Sequence, residues 1–234
     1  MKKGQVLSIV IIGLASLLSF IYSLINLIES GSSTVWVSIG SLLYTILVAI
    51  ALVYAIFENR CLEGLIIVSF KSIFPQTNLF FTEVLPGTVK YDSLDGVFSI
   101  LFTLLAVGAI VAIILQLYEF ESFRTKITLK NFAGPLIVLV YLLVFSSYSN
   151  AIISSMTEVF AILLLADLTA EFLFLSVFIA GPFNFIQLVA NGNELKFFDY
   201  LYVIVSILLF GYGVYALINH WRHSKHEDLK ECQD

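Results

Sequence analysis

Residues 159–180 have the sequence VFAILLLADLTAEFLFLSVFIA, an apolar run with two carboxylates near its middle. An α-helix of this length rises about 33 Å at about 1.5 Å per residue, which matches a bilayer hydrocarbon core of about 30 Å. Asp167 and Glu171 are four residues apart, so a single helix would carry both on one face. Ala166 and Ala170 would share that face, and such small residues let a neighbouring helix approach closely. The stretch therefore predicts a transmembrane helix that carries an acidic site.

The composition of the whole chain agrees with a membrane protein. Its 234 residues are 59% hydrophobic and 12% charged, and the mean hydropathy is +0.98. Soluble domains have about 25% charged residues, so this chain has too few polar groups to cover a water-facing surface. The apolar runs are continuous, which favours helices over the alternating pattern of a membrane β-barrel. We predict an all-α, polytopic helical membrane protein.

The apolar runs predict about six transmembrane helices within one membrane domain, residues 1–219, followed by a charged cytoplasmic tail, residues 220–234. The predicted spans are residues 6–28, 35–57, 97–118, 132–153, 159–180 and 197–218.

The boundaries of these spans follow from turn and charge signals. Apolar residues between Leu62 and Phe74 approximate a helical stripe, which Pro75 is predicted to end. This stripe is too short and too polar to cross alone, so we predict an interfacial or re-entrant segment within residues 62–81. A tight turn is predicted at residues 154–158. The pair Gly181-Pro182 is predicted to end the fifth span.

Six spans place both termini on one side of the membrane, and the positive-inside rule favours the cytoplasmic side. Eight lysines and arginines would then be cytoplasmic: Lys2, Lys3, Arg60, Lys71, Lys90, Arg222, Lys225 and Lys230. Four would be outside: Arg124, Lys126, Lys130 and Lys196. An alternative stays open, because three cations in the connector after residue 118 are typical of a cytoplasmic loop. A further crossing within residues 62–81 would place them there.

The two acids of the fifth span need an explanation, because a charge at mid-bilayer costs about 2.5–3.5 kcal/mol on insertion scales. No Lys, Arg or His lies within the predicted spans. Asp167 and Glu171 could bind a cation or relay protons, or pair with a basic residue of another subunit. They could also be protonated and bonded to polar groups of neighbouring helices. The supporting polar candidates are Asn150, Ser147 and Gln116, with Tyr44, Thr45 and Tyr141 as further hydroxyl donors.

The tail carries all three histidines, His220, His223 and His226, with Cys232 beyond them. Imidazole and thiolate are zinc ligands, but Arg222 and Lys225 would repel a cation, and we predict no metal site. A basic segment that anchors the last helix at anionic headgroups explains the same residues. The chain has no basic patch typical of nucleic-acid binding.

The sequence lacks the motifs of serine hydrolases, zinc proteases and phosphate-binding loops, so we predict neither catalytic residues nor a cofactor. We predict a small transporter or permease of the cell membrane, for an ion or small solute, that uses Asp167 and Glu171. The alternative is a non-catalytic membrane subunit or anchor of a larger complex. The predicted partners are the lipid bilayer and either another membrane protein or further copies of the chain.

Overall fold

A computed structural model describes residues 2–119, 128–146 and 151–231, except for the side chains of residues 151–154 and 224–231. Within these ranges the chain is helical, with turns and no strand. The α-helices are α1 (Lys3–Glu29), α2 (Val35–Phe57), α3 (Cys61–Val68), α4 (Phe74–Leu79), α5 (Leu94–Tyr118), α6 (Leu129–Val144), α7 (Ala151–Leu164), α8 (Leu168–Ala190) and α9 (Phe197–Glu231).

Five described helices are long and apolar enough to cross a membrane: α1, α2, α5, α8 and residues Phe197–His223 of α9. Their outward faces are apolar as well. On α5, Leu104, Val107 and Ile114 are 67%, 62% and 59% exposed. A water-soluble protein rarely exposes so much contiguous apolar surface, whereas lipid covers it without penalty. The prediction of a helical membrane protein is therefore supported, although the helix lengths leave the number of crossings open.

The chain divides into two compact units, of which the first comprises Met1–Glu29 and Leu52–Lys126. In this unit α1 and α5 pack antiparallel. At one end Lys2 Nζ donates to the carbonyl oxygen of Glu119 over 2.9 Å, and at the other Tyr22 Oη donates to Asp95 Oδ1 over 2.7 Å. Small buried residues on α5, such as Ala109 and Ala112, allow this close packing.

The antiparallel pair contradicts the predicted six-span topology. In that topology, residues 6–28 and 97–118 cross the membrane in the same direction. In the structure, the two corresponding helices, α1 and α5, run in opposite directions.

Residues 61–84 are helical throughout, whereas the sequence predicted a helical stripe that ends at Pro75. Two π-helical turns, Ser69–Ile73 and Phe80–Val84, connect α3 to α4 and continue α4. Pro75 lies in the first turn of α4, just after the first π-helical turn, where its missing N–H is tolerated. The predicted end at Pro75 is therefore wrong.

The second unit comprises Ser30–Ala51 and Ile127–Asp234. Its centre is an antiparallel pair of α8 and α9, in which Gly181 faces Ser206 close to the middle of both apolar segments. Helix α8 continues through Pro182 to Ala190, so the predicted end at Gly181-Pro182 is wrong. Neighbouring groups in membrane proteins re-satisfy the backbone that a proline frees.

The boundaries predicted for the fourth and fifth spans also differ from the structure. Helix α6 ends at Val144 and α7 begins at Ala151, so the chain turns before the predicted turn at residues 154–158, which lie within α7. The chain then leaves the helical conformation again at residues 165–167. The continuous helix predicted over residues 159–180 is thus the end of one helix and the start of another.

Candidate functional site

The interruption between α7 and α8 places Asp167 outside both helices. Asp167 is the N-cap residue of α8, with extended backbone angles of φ −147° and ψ −152°, and it is exposed. Its carbonyl oxygen accepts the N–H of Ala170 over 2.9 Å. Because Asp167 is not helical, the prediction that it stacks with Glu171 on one face of a continuous helix is wrong.

The two acids lie at the start of α8 and not in the middle of one helix. Glu171 is in the first turn of α8, eight residues before Ile179, the middle residue of that helix, and Asp167 precedes the helix. Eight residues of helix rise about 12 Å. The depth of the two acids in a membrane stays a prediction.

Glu171 has a basic neighbour that the predicted spans left out. His220 Nδ1 lies 3.9 Å from Glu171 Oε1, and the two side chains are 43% and 25% exposed. The contact exists because α9 remains helical beyond residue 218. The other carboxylate oxygen, Glu171 Oε2, is buried with no hydrogen-bond partner among the described residues.

Glu158, which the sequence placed in a turn, is a buried acid of the second unit, as is Asp199. Glu158 is 7% exposed, and its Oε1 accepts the hydroxyl proton of Tyr44 over 2.8 Å. Ser155, Glu158 and Ile162 lie on one buried face of α7. This helical spacing, continued back through residues 154–158, was the signal that could have placed Glu158 in a helix.

A cluster of hydroxyl groups lies at the middle of the α8–α9 pair. Tyr141 Oη and Ser206 Oγ are 2.7 Å apart, and Ser206 Oγ donates to the carbonyl oxygen of Tyr202 over 2.6 Å. Tyr141 and Tyr202 are 5% and 4% exposed, and their rings stack with centroids 5.8 Å apart. The cluster satisfies its own polar groups, so its local role is to hold α6 against α9.

Of the supporting polar candidates, the structure describes Gln116. It belongs to the first unit, where its side chain is fully buried and its Nε2 donates to Ser8 Oγ of α1. Asn150 and Ser147 lie outside the described residues, so their support of the acids stays a prediction.

Among the side chains that the structure describes, no group of three or more His, Cys, Asp or Glu could hold a metal ion. The side chain of His226 lies outside that description. No protein-family model matches the chain, and comparisons with curated proteins and with solved structures give no match.

Proposed function

We propose that this protein is a small membrane transport protein that moves a proton or another small cation. The observation that carries the proposal is Glu171, a partly buried carboxylate in the first turn of α8, a helix long and apolar enough to cross a membrane. One of its oxygens faces His220, and the other is buried with no hydrogen-bond partner among the described residues. Ionisable groups are rare within membrane-spanning helices, and they mark ion pathways when they occur.

The turn between α7 and α8 supports the same proposal. It presents the exposed carboxylate of Asp167 one turn before Glu171. A cation that approaches this end of α8 meets Asp167 first and Glu171 next, with the His220 imidazole beside Glu171.

We also propose that residues 61–84 cross the membrane, which would reverse the sides of the loops on either side of α5. With both termini cytoplasmic, nine cations are then cytoplasmic: Lys2, Lys3, Arg60, Arg124, Lys126, Lys130, Arg222, Lys225 and Lys230. Two are outside, Lys90 and Lys196, and Lys71 lies within the crossing helix. The positive-inside rule fits this arrangement better than the six-span prediction. The plasma membrane is the location we propose.

Ion flux into liposomes that contain the purified protein tests the function. We expect the double substitution Asp167→Asn with Glu171→Gln to reduce proton or alkali-cation flux at least tenfold, because it removes both negative charges while keeping the side-chain size. Glu194→Gln is the matched control, since Glu194 lies in the exposed loop before α9. Unchanged flux and pH dependence in the double variant would remove these acids from the site.

A second candidate function has one observation in its favour. Asp167 is exposed at the surface of the second unit, where a basic residue of another membrane protein could reach it. The chain would then be a non-catalytic subunit or anchor, and Asp167→Asn would release the partner when the complex is purified in mild detergent. Retention of a stoichiometric partner by the Asp167→Asn protein would argue against this docking role.

A further inference from the structure

Helix α6 and the described part of α7 are each shorter than the hydrocarbon core of a bilayer. They have 16 and 14 residues, which corresponds to about 24 Å and 21 Å, against about 30 Å for the hydrocarbon core. The two pack against each other, and α7 also packs against α8. Two short consecutive helices that pack in this way form a hairpin that can enter the membrane and return to the same side. Such segments are tolerated where protein surrounds them.

Contacts with the long helices show how deep the hairpin reaches. Near its start, a Cβ atom at Gly134 would lie 3.8 Å from the Phe174 ring, close to the beginning of α8. Further along α6, Tyr141 contacts Ser206, at the middle of the α8–α9 pair. Phe145, just beyond α6, packs against Tyr202 past the middle. The hairpin therefore enters from the side on which α8 begins and reaches beyond the centre.

Glu158 lies on α7, the second helix of this hairpin, and the position of its partner Tyr44 shows how deep it lies. Helix α2 runs antiparallel to α8, since Trp36 N–H donates to Gln187 Oε1 over 2.9 Å and Gly40 faces Phe183. Tyr44 is one turn further along α2 than Gly40, which places it about level with residue 179, near the middle of α8. The carboxylate that accepts its hydroxyl proton is thus deep within the membrane.

We infer that Glu158 is a proton-binding site inside the membrane, carried on a re-entrant hairpin formed by α6 and α7. Binding adds one proton to the carboxylate and gives a neutral carboxylic acid, while Tyr44 keeps its own proton and its hydrogen bond. A proton needs only one carboxylate. Hard metal cations such as Ca²⁺ take about 6–8 oxygen ligands, and the described side chains contain no acidic cluster of that kind.

Several titratable groups lie on the described elements around Glu158. Tyr44 faces it from α2, which otherwise carries Tyr54. Helix α6 carries Lys130 at its start and Tyr141, and α8 carries Glu171 in its first turn, after Asp167. Lys130 and Asp167 are exposed at the end where the hairpin enters. Glu158 is the acid that lies level with the middle of α8, and the proton is therefore assigned to it.

Infrared difference spectra of the full-length protein in liposomes, recorded between alkaline and acidic buffer, test the inference. We expect a C=O stretching band from a protonated carboxylic acid that Glu158→Gln removes and that Glu171→Gln and Glu194→Gln leave in place. Tyr44→Phe should shift the frequency of the band, because it removes the hydrogen bond to the carboxyl group. This second variant keeps the test decisive if Glu158→Gln does not fold.

A band that survives Glu158→Gln, or one that Tyr44→Phe does not shift, would overturn the inference. The role of this site in transport rests on the proposed function, but the infrared band requires no transport. A Glu158 band in a protein that moves no ions would keep the proton site and reject the transport proposal. Transport without such a band would keep the transport proposal and reject the proton site at Glu158.

Discussion

Gly181 is the residue that brings α8 and α9 together at their middle. A Cβ atom there would lie 2.5 Å from Ser206 Cβ and 3.4 Å from Tyr141 Oη. Ser206 is fully buried and makes two hydrogen bonds, so it has no room to move away. A methyl group at position 181 would therefore separate the helices and disturb the hydroxyl cluster together.

We expect Gly181→Ala to destabilise the folded protein by about 1–3 kcal/mol, which is typical of overpacking in a dense interface. Gly211→Ala in α9 is the matched control, because a Cβ atom there meets nothing within 4 Å. The measurement is unfolding by a denaturing detergent, followed by circular dichroism. Equal stability of the two variants would show that α8 and α9 do not approach each other as described at Gly181.

At the scale of the helices, the sequence predicted the long apolar elements well and the short ones badly. The predicted spans 6–28 and 35–57 agree with α1 and α2, because long uniform apolar runs with charged ends permit only one interpretation. The interruption at residues 165–167 has a weak local signal, because Leu165 and Ala166 favour helices and only Asp167 is of a type preferred at a helix N-cap. Tertiary packing decides it.

The sequence predicted only part of the candidate site, because packing between helices decides the rest. Asp167 and Glu171 stood out because they are charges in an apolar run, but their spacing implied a shared face that exists only in a continuous helix. Glu158 was missed because residues 154–158 were predicted to form a turn, whereas they belong to α7. His220 was missed because its contact with Glu171 depends on α9 remaining helical past the apolar run, which is a property of the helix pair.

For the whole molecule, the antiparallel packing of α1 and α5 fixes which loops share a side of the membrane. Gly87 follows residues 61–84, and Thr128 precedes α6. The six-span prediction places Gly87 inside and Thr128 outside the cell. A crossing by residues 61–84 places them the other way round.

Labelling of single cysteines in intact cells distinguishes these arrangements. With Cys61 and Cys232 replaced by alanine, we expect a membrane-impermeant maleimide to modify Gly87→Cys from outside and to leave Thr128→Cys unlabelled until the cells are opened. Both positions are exposed, so access depends on the side of the membrane. The opposite labelling pattern would restore the six-span topology.

The most direct test of the account as a whole is proton or cation uptake by the purified chain alone, reconstituted into liposomes with an imposed ion gradient. We predict uptake well above that of protein-free liposomes, because the acids of the second unit offer a path without any partner. Uptake equal to that of protein-free liposomes, from protein shown to be folded and correctly inserted, would contradict the transport function. The chain would then be a subunit whose partner carries the activity.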